Sequence, residues 1–97
     1  MERRQLIDNR SDRLMMVFTE PEAQDYWLRP GQQLEIRAPI SDVDTVFEIS
    51  LDGDGVVVWP PHEMGYISAW QNGTLLECGH QRPEGWPAID AANRSGR

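Results

Sequence analysis

The chain has 97 residues, of which 39% are hydrophobic, with a formal net charge of −7. This length fits one small domain, and no apolar run is long enough to span a bilayer. Eleven acidic residues against two basic ones lie from Leu14 to His80, a balance that repels phosphate and predicts no direct nucleic-acid binding. A start without the apolar segment of a signal peptide, and a single cysteine, predict a cytoplasmic protein without a disulfide.

The first half of the chain predicts three strands after an irregular start. Residues 1–13 are charged and aperiodic, so we expect an irregular N-terminal segment. The apolar run 14–19 predicts the first strand. Residues 26–28 and 33–37 predict two more, flanking Arg29-Pro30-Gly31-Gln32. Proline followed by glycine at the centre of such a segment is typical of a type II turn.

The stretch from Thr45 to Cys78 predicts two consecutive β-hairpins. In the first, residues 46–51 and 56–59 flank Asp52-Gly53-Asp54-Gly55. Phe47, Ile49 and Leu51 alternate with polar or smaller side chains, and this period of two assigns them to the core.

The second hairpin has residues 66–71 and 74–78 on either side of Asn72-Gly73. Asn-Gly between apolar-rich runs is a strong hairpin signal, because a type I′ turn needs two residues that tolerate positive φ.

No helix of ordinary length is evident from the periodicity. About six short strands with regular turn signals predict an all-β fold, a small antiparallel β-sandwich or open barrel built from hairpins. We assign the β-domain to residues 14–80. After His80 the composition becomes polar and rich in proline and glycine, which predicts a flexible or docking tail over residues 81–97.

The residues with metal-binding or nucleophilic chemistry do not form a recognisable motif. His62, Met64, Cys78 and His80 are the residue types of a copper centre. However, Cys78 and His80 are separated by one residue and the other two lie in a different loop, so we predict no metal and no cofactor, with His62, Cys78 and His80 as the weak candidates. No helix start or strand-to-helix elbow accompanies Cys78 to activate it. We therefore predict that the protein is not an enzyme.

The aromatic residues are the most informative feature for function. Four tryptophans are more than the core of so small a domain needs, and exposed tryptophan on a sheet often marks a contact surface. Trp70 and Trp86 are the leading candidates. The predicted binding surface comprises Trp70, Trp86, Trp27, Tyr66, Glu48 and Glu77.

Three short patterns in the first forty residues carry a resemblance. They are Asn9-Arg10-Ser11, the run from Leu14 to Pro21, and Tyr26-x-Leu28-x-Pro30-Gly31. With them the chain resembles a loose family of short uncharacterised bacterial β-domain proteins. The resemblance implies a β fold and implies no activity or site.

These observations predict a small acidic non-catalytic protein that acts by protein–protein binding, as an inhibitor, an immunity-like protein or an assembly factor. The expected partner is a basic protein that the carboxylates attract, and a homo-oligomer is compatible with this. The alternative is a small-ligand or carbohydrate-binding β-module using Trp and Tyr side chains. A metal-binding sensor is the third hypothesis.

Overall fold

The computed structural model describes residues 2–39, 46–53, 55–60 and 66–86, and these residues form a sandwich of two open four-stranded sheets. Sheet I has the strand order β1-β4-β7-β8 and sheet II the order β3-β2-β6-β5. The strands are β1 (Glu2–Asp8), β2 (Met15–Thr19), β3 (Gln24–Leu28), β4 (Gln33–Pro39), β5 (Glu48–Asp52), β6 (Gly55–Trp59), β7 (Ser68–Gln71) and β8 (Thr74–Leu75). The predicted all-β class is confirmed, as an open sandwich and with eight strands in these residues rather than about six.

The core lies between the two sheets and follows the strand period of two. In β4, Leu34, Ile36 and Ala38 are buried while Glu35 and Arg37 face outward. The main cluster joins side chains of both sheets, namely Val17, Tyr26, Leu28 and Val58 of sheet II with Leu34, Ile36, Ala38, Ile67 and Ala69.

A second apolar cluster covers the outer face of sheet II. Met16, Phe18 and Trp27 are buried there, and Trp86 packs against them. Residues 81–86 of the predicted tail therefore dock on the sandwich, whereas residues 87–97 lie outside the described part of the chain. The described part also contains no helix with the length and apolar character needed to cross a membrane.

The hairpin pattern predicted purely antiparallel sheets, but sheet II is mixed. Strands β2 and β6 run parallel, with Met16 opposite Gly55 and Val17 opposite Val56. Gly55 is required at this pairing, because a Cβ at that position would collide with the backbone oxygen of Met16. A parallel pair needs a long crossover, and here the chain passes through β3, then β4 of sheet I, then β5, before it forms β6.

The predicted turn at Arg29–Gln32 is present, but it does not join a hairpin. Gly31 has φ of 84° and the Gln32 amide donates to the Arg29 carbonyl at 3.0 Å. The flanking strands β3 and β4 belong to different sheets. The buried Asn9 side chain holds this crossing, since its Nδ2 donates to the carbonyls of Leu28 and Arg13 at 2.7 and 2.9 Å.

The prediction of an irregular segment over residues 1–13 was wrong for Glu2–Asp8. These residues form the edge strand β1, which pairs antiparallel with β4 along its whole length. Only residues 9–14 between β1 and β2 are irregular. The charged side chains that hid the strand are typical of an edge, where they discourage pairing with other chains.

The two predicted hairpins of the central stretch are both present. Strands β5 and β6 pair antiparallel, as do β7 and β8. Asn72 and Gly73 have φ of 52° and 78°, as a type I′ turn requires. The core assignment of the first hairpin was wrong for two residues, because Ile49 is 43% exposed and Leu51 is 86% exposed, and only Phe47 packs against the main cluster.

Candidate functional site

One row of outward-facing side chains crosses all four strands of sheet I. The strand register places Leu6 opposite Glu35, Glu35 opposite Trp70, and Trp70 opposite Leu75. The neighbouring row holds Arg4, Arg37 and Ser68. We call this surface, with the adjacent Tyr66, the sheet-I face.

The sheet-I face exposes apolar and aromatic side chains on a flat scaffold. Leu6 and Leu75 at the two ends of the row are exposed, and Tyr66, just before β7, is 66% exposed. Trp70 sits between them and is half-buried. Several exposed large apolar side chains around one tryptophan on a sheet face are typical of a contact surface.

Trp70 is held in one orientation by its neighbours. Its indole Nε1 donates to Ser68 Oγ at 2.9 Å, and the Arg37 guanidinium lies 4.1 Å from the ring centroid. Arg37 in turn donates to the Glu35 carboxylate and lies 4.0 Å from a Glu2 oxygen. A cation over an indole face and a carboxylate-held guanidinium both reduce the freedom of the two side chains.

A shallow groove of about 480 Å³ runs along this row. Its floor includes Leu6, Glu35, Arg37 and Trp70, and its end is formed by the turns at Gly31–Gln33 and Gln71–Gly73. Gln71 Nε2 donates to the Gln33 carbonyl at 3.2 Å and ties the two turns together. The groove therefore offers an aromatic ring beside amide, carboxylate and guanidinium groups.

Trp27 and Trp86 lie away from this face. Trp27 is 9% exposed on the outer side of sheet II, and its ring meets that of Trp86 edge-on, with centroids 5.4 Å apart at 72°. Its indole Nε1 donates to Asp25 Oδ2 at 2.8 Å. Trp27 is thus packed within the fold, and Trp86 covers its ring. The sequence predicted one surface for these two residues and Trp70, but the structure places them on different sheets.

Glu48 and Glu77 are also separate from Trp70. Glu48 lies on the edge strand β5 opposite Trp59, and Glu77 is exposed just after β8. Of the six residues predicted for the binding surface, the structure places Trp70 and Tyr66 together. It adds Leu6 and Arg37, which sequence reasoning missed. Leu6 shares a strand face with the charged residues Arg4 and Asp8, and this shared face is the signal that places Leu6 outward.

The buried carboxylate of Asp25 organises the segment that follows β8. Arg82 Nε and Nη2 donate to its two oxygens at 2.8 and 2.6 Å, and the Gly79 amide donates to its backbone carbonyl at 2.6 Å. Burial acts to raise the pKa of Asp25, but the hydrogen bonds from Arg82, Trp27 and Cys78 outweigh it and hold that pKa below its ordinary value. This arrangement is a structural clamp.

Cys78 ends the predicted strand 74–78, but in the structure it lies in a turn after β8 and is exposed. Its sulfur is 3.4 Å from Asp25 Oδ1. Desolvation is the largest cause that raises the pKa of the Cys78 thiol, and the negative charge of Asp25 adds to the rise. A thiol kept protonated in this way is a weak nucleophile and a weak metal ligand.

The weak metal candidates do not assemble in the residues described. Within 2–39, 46–53, 55–60 and 66–86 there is no group of three or more His, Cys, Asp or Glu side chains placed to hold a metal ion. The His80 ring nitrogen Nε2 lies 3.2 Å from Gln71 Oε1. His62 and Met64 lie outside the described residues.

No protein-family model, curated protein or solved structure matches this chain. The resemblance to short bacterial β-domain proteins therefore stays a prediction.

Proposed function

We propose that this protein is a non-catalytic binding module that recognises a protein partner through the sheet-I face. The observation that carries the proposal is the row Leu6, Glu35, Trp70 and Leu75, with Arg37 over the indole. Tryptophan, tyrosine and arginine are the residues that most often dominate binding energy at protein interfaces. Here all three lie on one open face of a rigid sheet.

Two physical features support this role for Trp70. Its hydrogen bond to Ser68 and its contact with Arg37 already restrict the side chain, so binding orders little that was free before. Leu6, Tyr66 and Leu75 around it are exposed, and a partner that covers them removes apolar surface from water. Burial of apolar surface contributes roughly 25 cal/mol per Å² before the costs of association are subtracted.

The charge of the whole chain favours a basic partner. The net charge of −7 attracts a positively charged protein over a distance of about a Debye length and speeds its encounter. Two copies of the chain repel each other for the same reason, so we place a different protein ahead of a homo-oligomer. We further place the protein in the cytoplasm, where a free cysteine such as Cys78 stays reduced.

The test is a pair of matched tryptophan variants. A tagged protein captures partners from the source cells, mass spectrometry identifies them, and the purified partner is then titrated by calorimetry. Truncation of a hot-spot residue costs at least about 2 kcal/mol, a loss of roughly thirty-fold in affinity. We expect this for Trp70→Ala and a change within about twofold for Trp59→Ala, which removes an exposed indole from sheet II.

Far-ultraviolet circular dichroism and urea unfolding must show that both variants fold. Equal affinity of the wild type and the folded Trp70→Ala variant, or an equal loss in both variants, would refute the role of the sheet-I face.

The groove along the row favours a second candidate function, binding of a small ligand or carbohydrate. Side chains with planar polar groups, from Gln33, Glu35, Arg37 and Gln71, line it beside the Trp70 ring. A glycan array followed by tryptophan-fluorescence titration tests this. Saturable binding that Trp70→Ala abolishes supports a ligand module, and the absence of binding across the array counts against it.

A further inference from the structure

The two edge strands of sheet II, β3 and β5, differ in whether another segment of the chain pairs with them. At β3, the segment after β8 closes the edge: His80 bridges Tyr26 in parallel, and the Trp27 amide donates to the His80 carbonyl at 2.9 Å. At the opposite edge, β5 pairs with β6, and none of the described residues pairs with its other side. An open edge is a ready template for pairing with another chain.

The backbone groups that face this open side belong to Ile49 and Leu51. Asp52 lies opposite Gly55 across a two-residue connection, and such a closing pair exchanges both of its hydrogen bonds. Along an antiparallel strand, residues whose N–H and C=O groups bond to the partner strand alternate with residues whose groups point away from it. Ser50 and Glu48 therefore also bond to β6. The N–H and C=O groups of Ile49 and Leu51 therefore point away from β6.

The side chains of the same two residues are apolar and uncovered. Ile49 lies opposite Val58 and Leu51 opposite Val56, so they are on the core side of sheet II, yet both are exposed. The reason is that sheet I stops one strand short on this side. Ile7 of its edge strand β1 lines a common cleft with Val17 of β2 and Val56 of β6, and no residue of β5 lines that cleft. Strand β5 thus extends past the edge of sheet I, and its apolar side chains on the core side are exposed to solvent.

The charged residues of β5 are both acidic. Between Arg37 and Arg82 the chain has seven acidic residues and no lysine or arginine, and two of the seven, Glu48 and Asp52, flank the exposed pair on β5. Two copies of β5 paired antiparallel about Ser50 would set Glu48 of one copy against Asp52 of the other, a destabilising contact of like charges. Charge therefore disfavours a second copy in this register, and the two carboxylates favour a cationic strand.

We propose that the open edge of β5 is a docking site for an extended segment of a basic protein, which adds antiparallel to sheet II as its fifth strand. The segment alternates apolar residues, which lie opposite Ile49 and Leu51, with arginine or lysine, which lie on the side of Glu48 and Asp52. Main-chain hydrogen bonds supply the pairing and alternate side chains the specificity, as in other cases of strand addition. This site is independent of the sheet-I face.

The probe is an acetylated and amidated heptapeptide of alternating arginine and valine, titrated by calorimetry. In the proposed register the valine N–H groups point to β5 and the arginine N–H groups point to solvent. A peptide N-methylated at its valines keeps every charge and side chain but loses those donors, and we expect its binding to be lost. A peptide N-methylated at its arginines is expected to bind within about threefold of the parent.

A charge-matched pair of protein variants separates strand addition from simple attraction. Leu51→Arg and Leu75→Arg each place a cation at an exposed leucine and change the net charge equally. We expect Leu51→Arg to weaken binding of the parent peptide at least tenfold and Leu75→Arg to change it less than threefold. Trp70→Ala is expected to leave this binding unchanged, so failure of the proposed sheet-I function and failure of this site are distinguishable.

Amide hydrogen exchange followed by NMR gives the direct readout. The amides of Ile49 and Leu51 are expected to exchange quickly in the free protein and to become protected with the parent peptide, while that of Ser50 is protected in both states. Protection of Ile49 and Leu51 in the free protein would mean that the edge is already occupied, and would overturn the proposal. So would equal binding of the two N-methylated peptides, equal weakening by the two leucine variants, or no binding of the parent peptide at millimolar concentration.

Discussion

Replacement of Asp25 by asparagine tests how the segment after β8 is held on the sandwich. The side chain of Asp25 is 4% exposed and accepts both donors of Arg82, whose own side chain is 42% exposed. Asp25→Asn keeps the shape but removes the charge, and one of its amide hydrogens then faces a guanidinium hydrogen. The bidentate bond to Arg82 is lost, and the hydrogen bond from the Trp27 indole is weakened or lost with it.

The expected cost follows from burial. Removing one partner of a fully buried ion pair costs about 3–5 kcal/mol. Because Arg82 regains water when it is released, we take the lower part of that range, about 3 kcal/mol. With a urea m value of roughly 1.5–2 kcal/mol/M for a small domain, the unfolding midpoint falls by about 1.5–2 M.

Urea unfolding followed by tryptophan fluorescence measures this, because Trp27 and Trp86 report on the clamp directly. The matched control is Arg10→Ala, which removes a long and solvated ion pair with Asp8 at 3.4 Å and is expected to cost less than about 0.5 kcal/mol. A loss below about 1 kcal/mol for Asp25→Asn, or one equal to that of the control, would refute the assignment of Asp25 as the clamp.

The clamp also predicts a pH dependence. The folded pKa of Asp25 lies below its ordinary value, so the folded state binds this proton less readily than the unfolded state does. Its stabilisation is therefore present above pH about 3.9 and is lost as the pH falls through the lowered folded pKa. Unfolding midpoints measured from pH 6 to pH 2 should show a smaller acid loss in Asp25→Asn than in the wild type.

Two further predictions concern buried polar groups. Asn9→Ala leaves the Leu28 and Arg13 carbonyls without the amide donor that joins β3 to the N-terminal strand. The variant should lose about 2–3 kcal/mol of unfolding free energy, measured by urea unfolding. Substitution of the exposed residue Gln5→Ala is its control, and equal midpoints for the two variants would contradict the role of Asn9. Burial raises the pKa of Tyr26 to about 12, whereas it is about 10 in the unfolded chain. The neutral hydroxyl of Tyr26 therefore contributes about 3 kcal/mol to the free energy of unfolding below pH 10, and this contribution is lost as the pH rises towards 12. Tyr26→Phe should flatten this alkaline loss, and an unchanged slope between pH 9 and pH 11.5 would contradict it.

Taken together, the structure assigns separate tasks to the tryptophans. Trp27 and Trp86 close the outer side of sheet II, while Trp70 lies open on sheet I and is oriented by Arg37. Composition alone treats these side chains alike. The distinction depends on the segment after β8, which crosses to the edge of β3 and brings Trp86 with it.

Part of the binding surface was accessible from sequence. Trp70 and Tyr66 were predicted there, because aromatic residues beyond the needs of a small core tend to lie on a contact surface. Leu6 and Arg37 were not, since Leu6 lies in a charged stretch that masks a strand, and Arg37 becomes informative only once β4 and β7 are adjacent. Contacts between residues more than thirty positions apart leave no local pattern to read.

The features that sequence patterns predicted correctly are local. The turn at Asn72-Gly73, the turn at Pro30-Gly31, and the inward face of Leu34 and Ile36 all follow from the backbone preferences and period of a few consecutive residues. The pairing of the strands, in contrast, is set by contacts between distant parts of the chain. Strands β3 and β4 enter different sheets, β2 and β6 pair in parallel, and Leu51 on the overhanging edge is exposed despite its apolar alternation. The physical reason is that a strand's period defines two faces, but burial depends on whether another part of the chain arrives to cover them.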